Sequence, residues 1–472
     1  MPEAKYISVP RFVVDSHPFN HLARVPPMFN IVLNEVQRLR GQLNLIASEG
    51  FQDESVLAAA GSVLGLKYAE GYPGRRYYAG CENVDMSEAN AIKWGKTLYG
   101  AEYGNVQPHS GSCANRAAIA ALVKNGDVIV SMDTAHGGHL SHGAPVTKTA
   151  RDYVIRSYGV TDEGYIDLDQ VRELALKEPR AKLVIVGGSA FSRRIDYTPF
   201  RAIADEAGAR LLADIAHPAG LIVAGLHPNP VNIADLVTTT TQKTQMSGRG
   251  GSIYGGERSS QVIGYDKDDK PITIAQAADK EVFPGQQGGP LQNLIAAKAV
   301  GFFLALNHDQ TAVSPEFVAF QSQVIANEKI LAGEFMRLGY DVLTGGTDTH
   351  LALVKLNHLS GLAAQRALSK SNITLNRNGI PKDPRPPFYA SGIRVGSLWS
   401  TAVGASEEYL RESVRTIDDI LRHTTEEKLG QPLTDPAATE RAKIKVAELT
   451  ADNPVYRDMH DAMLWFKERH KI

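Results

Sequence analysis

Residues 234–256, ADLVTTTTQKTQMSGRGGSIYGG, govern how the whole chain is read. An apolar, β-branched run closes on four threonines. One lysine, Lys243, follows between polar residues, and a glycine-rich turn leads into a second short apolar run. Runs rich in Val, Ile and Thr and bounded by glycine favour strands, so the stretch predicts strand, loop, strand with a single amine in the loop. Most loop lysines are simply solvated. A lysine in such a place can instead condense with an aldehyde cofactor as a Schiff base. What the rest of the chain brings to Lys243 decides between the two.

Working upstream, strand and helix patterns alternate. DVIVSMD (127–133), YVIRSYGV (153–160), LVIVGGSA (183–190) and ARLLADIAH (209–217) read as strands, and 87–98, 114–123, 167–176 and 199–207 as helices. This alternation predicts an α/β domain with a mainly parallel sheet. Ligands collect at the carboxyl ends of such strands, where this chain places Asp133, Gly188-Ser189, Asp214 and Lys243. Downstream, 291–335 reads as long helices and 340–356 as two strands around a turn. A helix near 361–370, strands at 373–376 and 392–396, and an apolar stripe of Leu410, Val414, Ile417 and Leu421 follow. These predict a smaller C-terminal α/β domain. The expected division is an N-terminal arm (1–46), a large domain (47–305) and a small domain (306–472). The arm carries a helical pattern through Phe29, Val32 and Val36 and is expected to pack on another element, a partner subunit being the candidate. Residues beyond about 430 read as a polar surface tail with one last helix.

The chain has 472 residues, 43% hydrophobic and 22% charged, with a net charge of −2. That balance fits a soluble globular protein and gives no electrostatic reason to expect nucleic acid or an anionic membrane as partner. Two cysteines, Cys81 and Cys113, cannot build a disulfide framework, and no apolar run approaches the length of about 20 residues that spans a bilayer. The expectation is a cytoplasmic protein.

Four groupings carry chemistry. HSGSCAN (109–115) puts small and hydroxyl residues just ahead of a predicted helix, where free N–H groups and the helix dipole favour an anion. An ordinary N-cap would use the same serine. Asp214 ends a strand with His217 three residues on, and a carboxylate so placed needs a hydrogen-bonding partner, either a protonated pyridine nitrogen or the backbone of the next loop, which it would cap. HGGHLSH (136–142) spaces three histidines at i, i+3 and i+6; with no cysteine interleaved, a ring stacking on a cofactor is favoured over a metal site. Arg394, in SGIRVG, lies in an apolar context and calls for an anion, either a substrate carboxylate or a structural partner. A loop at 67–80, KYAEGYPGRRYYAG, is too polar for core; it reads either as a plain surface loop or, from its tyrosines, arginines and glycines, as a contact to a ligand or a neighbouring chain.

Taken together, LIASE, KYAEGYPGRRYY, NVQPHSGS-AN, HGGHLSHG, DIAHPAGL, TTTT-K, VFPG-QGGPL and SGIRVG resemble the serine hydroxymethyltransferase family, from about residue 43 to residue 425. The resemblance implies a fold-type I pyridoxal-phosphate transferase with a seven-stranded, mainly parallel sheet. It also implies a homodimer or dimer of dimers with shared active sites, and tetrahydrofolate as cosubstrate. By position, Lys243 would carry the cofactor, Asp214 pair with its pyridine nitrogen and His139 stack on its ring. His217 and Ser189 would lie near its phenolic oxygen. Ser110, Gly111 and Ser112 would hold its phosphate, joined by Tyr68 and Gly289 across the dimer. Ser48 and Arg394 would bind the substrate carboxylate. Glu70 and Tyr78, lent by the partner subunit, would handle protons, and Tyr77, Leu140, Phe283 and Asn378 would form the folate pocket.

The match departs from the family pattern at several places. Gln242 stands where a histidine is usual, Cys113 where glutamine is usual, and Thr134 where an apolar residue is usual. Gln292-Asn293 replaces Met-His, and the lysine loop exchanges its proline for Gly248, which is expected to loosen it. Within the family, transfer to tetrahydrofolate on serine/glycine or an α-methylated relative competes with a folate-independent transaldolase that uses L-threonine. A catalytically silent cofactor-binding homologue is the reading from another class; retained Lys243, Asp214, Glu70 and Arg394 stand against it.

Overall fold

Seven strands form the central sheet: Tyr103–Asn105 (β1), Val128–Met132 (β2), Val154–Tyr158 (β3), Leu183–Val186 (β4), Arg210–Asp214 (β5), Leu236–Thr240 (β6) and Gly251–Gly255 (β7). They belong to a computed structural model that describes residues 18–470. The spatial order is β1-β7-β6-β5-β4-β2-β3. Strand β7 runs antiparallel to both neighbours, and the pairs from β6 to β3 are parallel. The architecture is that of fold type I. The apolar runs are continuous because both faces of the sheet are covered. Val130, Val184 and Leu211 pack on one face, while Ile129, Leu183, Ile185 and Leu212 pack on the other with the helix Gly111–Leu122. Alternation at period two thus divides each strand between two apolar layers.

A second sheet lies in the C-terminal part: Asp341–Val342 (β8), Leu351–Lys355 (β9), Asn376–Asn378 (β10) and Gly392–Gly396 (β11), in the antiparallel order β8-β9-β11-β10. Leu410, Val414, Ile417 and Leu421 are fully buried against it, as the stripe predicts. The helix Pro315–Arg337 ties the two parts together. Its Phe317 joins the core around the large sheet, while Leu331 and Phe335 join the second core.

Two expectations are corrected at the chain ends. The residues beyond 430 are not a surface tail. A hairpin of Thr424–Lys428 and Gln431–Thr434 leads into two helices, Pro436–Thr450 and Arg457–His470. Ala438, Ala442 and Val446 enter the small core, and Met459, Met463 and Phe466 pack on Phe29, Leu33 and Val36 of the helix Pro26–Arg40. Each helix buries a narrow stripe at three- and four-residue spacing, which the surrounding charges hide in a composition count. The apolar face of the arm is therefore covered by the last helix of its own chain. Residues 1–17 of the expected arm lie outside the described residues.

Candidate active site

Strand β6 ends at Thr240, and the loop returning to β7 carries Lys243. The loop is cross-braced. Ser247 N donates to Thr241 O at 2.9 Å, Met246 N to Lys243 O at 2.9 Å and Thr241 N to Gly250 O at 3.2 Å. Thr244 Oγ1 donates to His217 O, and Gln321 Nε2 donates to Thr244 O at 2.6 Å. Lys243 is 8% exposed, which rules out an ordinary solvated loop lysine. The turn at Ser48 presses on the same loop: Gly50 N donates to Gln242 O, and a Cβ on Gly50 would lie 2.1 Å from Lys243 O.

Lys243 opens into a cavity of about 210 Å³ between the strand ends. Ser110, Gly111 and Ser112 line one end, where Ser110 caps the helix Gly111–Leu122 by accepting from Cys113 N at 3.2 Å. Asp214 and His139 line its floor and side. Asp214 Oδ2 accepts from Asn115 Nδ2 and from His142 Nε2, both at 2.8 Å, and Oδ1 accepts from Ala216 N at 3.0 Å. Burial alone would push this carboxyl up. The hydrogen bonds from His142 and Asn115 oppose it and hold Asp214 below the usual carboxylate range.

Desolvation dominates the other groups. Burial pushes Lys243 down to about 8, aided by Arg394 and Arg249 and opposed by Asp214. It pushes His139 down to about 4 and His350 to about 3, and takes His217 well below its ordinary value. His217 and His350 are thus a neutral stacked pair, with Nδ1 and Nε2 3.1 Å apart. Arg394, on β11, donates from Nη1 to Ser189 O at 2.6 Å and from Nε to Asn376 Oδ1 at 3.2 Å. No carboxylate pairs with it among the described residues, so its charge stays available to an anion. The turn holding Ser48 packs between the lysine loop and the end of β11, since a Cβ on Gly396 would lie 2.5 Å from Ala47.

His139, His142 and Asp214 place their donor atoms within 4.8 Å of one another. This is a hydrogen-bonded set rather than a ligand set. His142 Nε2 spends its proton on the ionised Asp214 and has no lone pair there for a metal.

The remaining site residues form a separate cluster. Tyr68 and Tyr78 rings lie 5.4 Å apart, Tyr77 and Phe283 rings 5.8 Å apart. A Cβ on Gly289 would meet the Tyr68 ring at 3.1 Å, and one on neighbouring Gly288 would meet Glu70 Oε1 at 3.4 Å. Tyr68 is 59% and Tyr77 77% exposed, and none of these residues lines the Lys243 cavity. Leu140 is exposed beside His139, and Asn378 sits on edge strand β10 with its amide donating to Gly379 O.

The structure gives roles to three residues that lie inside the quoted stretches but have none assigned from sequence. Asn115 and Arg249 line the cavity, and His142 anchors Asp214. Asn115 was legible in principle, being one helical turn beyond Gly111 and so on its face. The departures from the family pattern also resolve. Gly248 does not loosen the loop: a Cβ there would lie 2.5 Å from Ala297 Cβ and 2.7 Å from Lys298 N, so glycine permits close packing. Gln292 Nε2 donates to buried Glu88 at 2.9 Å and Asn293 to Ala60 O, so both are away from the cavity. Gln242 does line it and accepts weakly from Gly250 N at 3.4 Å.

A profile of the family described as serine hydroxymethyltransferase matches residues 23–417. Among curated proteins, a serine hydroxymethyltransferase of Rippkaea orientalis (strain PCC 8801 / RF-1) is 48% identical over 399 residues, covering 84% of this chain and 89% of that protein. With the fold-type I sheet and its buried lysine, these matches place the chain in the serine hydroxymethyltransferase family, whose members are pyridoxal-phosphate enzymes with tetrahydrofolate as cosubstrate.

Proposed function

We propose that this chain moves a hydroxymethyl group reversibly between serine and glycine, with tetrahydrofolate as carrier, at the Lys243 cavity. The observation that carries the proposal is one geometry. A buried amine lowered to about 8 shares a cavity with an ionised carboxylate, Asp214, and an arginine without a carboxylate partner among the described residues, Arg394, is braced on the carbonyl of Ser189, which lines that cavity, close enough to lower the amine.

The residues present fit pyridoxal phosphate. The donor set offers an amine for its aldehyde, an ionised carboxylate for its ring nitrogen and a helix N-terminus with two serines for its phosphate. When bound, the cofactor supplies the carbonyl that Lys243 condenses with and an electron-withdrawing ring that takes the electron pair of the broken Cα–Cβ bond. Asp214, held ionised, keeps a proton on the ring nitrogen. Arg394, free of any carboxylate partner among the described residues, would bind the amino-acid carboxylate and so orient the amino acid against the cofactor. His139, neutral through burial, packs as an uncharged ring.

The proposal includes a homodimer. Glu70, Tyr68, Tyr77, Tyr78, Phe283 and Gly289 gather on an exposed face of their own, a patch suited to completing the site of a second copy and handling protons and folate there. The separate apolar cores support a large and a small domain, with Leu306 and Phe317 still in the large core and Leu43 and Leu45 in the small one. No described helix is long and apolar enough to cross a membrane. Free Cys81 and Cys113 support a reducing, cytoplasmic location.

Two measurements test this. Lys243→Ala is expected to lose the visible absorbance of bound cofactor; a band that persists refutes the lysine assignment. Exchange of the glycine α-proton is expected to accelerate with tetrahydrofolate; no acceleration, with turnover of threonine and an added aldehyde, replaces the transfer with a transaldolase.

A further inference from the structure

Behind the anion cradle lies a buried lysine that none of the steps above uses. Lys298, on the helix Gln292–Leu304, is 1% exposed. Its Nζ donates to three backbone carbonyls: Val106 at 2.6 Å, Gly251 at 2.9 Å and Pro108 at 3.1 Å. All three ammonium protons are placed, and none goes to a carboxylate. The carbonyls belong to the two segments that frame the cradle. Pro108 stands two residues before Ser110, and Gly251 opens β7 just after Gly250, which lines the cavity. The amine lies directly beneath Gly250, where a Cβ would meet its Cε at 2.2 Å and its Nζ at 2.5 Å.

A buried ammonium without a counter-charge is costly. Burial pushes Lys298 down to about 7, while Glu88, on the helix Glu82–Tyr99, and Cys113, on the cradle helix, pull it upward. His109 is the other titratable group facing it, and it is lowered first by its own burial and then by Lys298. A neutral side chain of similar length offers at most two donors, so the three carbonyls themselves call for the ammonium. What the ammonium adds is positive charge under a cradle built for an anion.

We infer that Lys298 is a positioning residue for the cofactor's phosphate: it clamps the two segments that frame residues 110–112 and supplies from beneath the charge that makes the cradle selective for a phosphate. This rests on the assignment of that cradle made above.

The test compares pyridoxal phosphate with pyridoxal, which lacks the phosphate. Dissociation constants for both are measured by absorbance on the full-length apoprotein, wild type against Lys298→Met and Lys298→Gln, at pH 6.5. A lost charge a few ångströms from a dianion is expected to weaken pyridoxal phosphate about tenfold or more and to leave pyridoxal within about twofold. Equal weakening of both ligands would make Lys298 merely structural, and unchanged selectivity would remove its role; either overturns the inference. If the wild type binds pyridoxal phosphate no better than pyridoxal, the phosphate assignment of the cradle itself fails. Should neither variant fold, inorganic phosphate is titrated at pH 8 into a Lys243→Ala, His109→Asn background by calorimetry in two buffers of different ionisation enthalpy. Uptake of about half a proton or more is expected as the anion recharges Lys298, and no uptake overturns the inference.

Discussion

Replacing Asn115 by aspartate changes almost no volume but reverses what holds Asp214 ionised. In the wild type Asn115 Nδ2 donates to Asp214 Oδ2 at 2.8 Å. In Asn115→Asp a second carboxylate oxygen stands at that distance. Two unit charges 2.8 Å apart repel by about 6 kcal/mol at an effective dielectric constant of about 20. That equals about four pH units for the second ionisation of the pair. Donors that remain on Asp214, from His142 and Ala216, oppose the repulsion, so a rise of about two to four units brackets the outcome. The sign follows from linkage. The folded pair holds a proton that the unfolded chain has released above about pH 4, so variant stability falls with rising pH by about 1.4 kcal/mol per unit, from about pH 4 to pH 6–8. Wild-type Asp214 behaves in the opposite sense: its lowered pKa contributes stability that is complete above the ordinary carboxylate value and is lost only as pH falls through the folded value. Urea unfolding of the apoprotein from pH 4.5 to 8 therefore expects a variant close to wild type at the acid end, where a protonated oxygen can donate as the amide did. It expects a loss of about 3 kcal/mol or more at pH 8. Asn115→Ala is expected to lose stability without that slope. A difference between Asn115→Asp and wild type that does not change with pH would show that Asn115 and Asp214 share no site, and the account of how Asp214 stays ionised would fall.

Three further outcomes are expected. The rate at which the apoprotein takes up pyridoxal phosphate should rise about tenfold per pH unit and level off near pH 8, because only the free amine of Lys243 reacts and burial lowers it to about 8; an inflection above pH 10 would contradict this. Gly50→Ala should cost about 1–3 kcal/mol and weaken cofactor binding, since its Cβ would meet Lys243 O at 2.1 Å; unchanged melting and affinity would refute the contact. Arg193 donates to Thr344 and, at 3.0 Å, to Asp348, joining the loop that bears Ser189 to the small sheet while Thr344 is held at φ 62°. Arg193→Ala should therefore raise KM for the amino acid several-fold with kcat nearly constant, because Arg394 is braced on Ser189; an effect on kcat alone would refute that coupling.

What was legible in the sequence was what has a short period or a punctuated boundary. The helix Gly361–Lys370 and the strand Gly392–Gly396 fall where the pattern puts them. Lys243 lies in the expected loop because four β-branched residues end a strand and glycines start the next one. The parts that were not legible depend on packing between distant segments. Composition made the last 40 or so residues look like a tail, yet two stripes of three residues each are enough to anchor them. Lys298 gave no signal at all, being one lysine in an apolar helix whose three acceptors are backbone carbonyls 47 to 192 residues away.

Packing also decides how much the unusual residues say about substrate. Gly248, Gln292 and Asn293 depart from the family pattern, yet each has a structural cause: helix-to-loop contact for the first, the Glu88 network for the second, and the Ala60 carbonyl for the third. Such positions can change together without moving a reacting atom. Two departures do reach the anion end of the cavity. Gln242 bonds Gly250 N and lines it, and the Cys113 thiol accepts from Ser110 Oγ at 3.3 Å. Both act on the groups assigned to the phosphate, far less on Arg394 and Ser48, which are assigned to the amino acid. A change in this chain's use of its cofactor is thus written into the Lys243 wall more directly than a change of amino-acid substrate. The acceptor for the one-carbon unit is assigned, as a proposal, to the other cluster, where Tyr77, Tyr78, Glu70 and Phe283 match the family pattern.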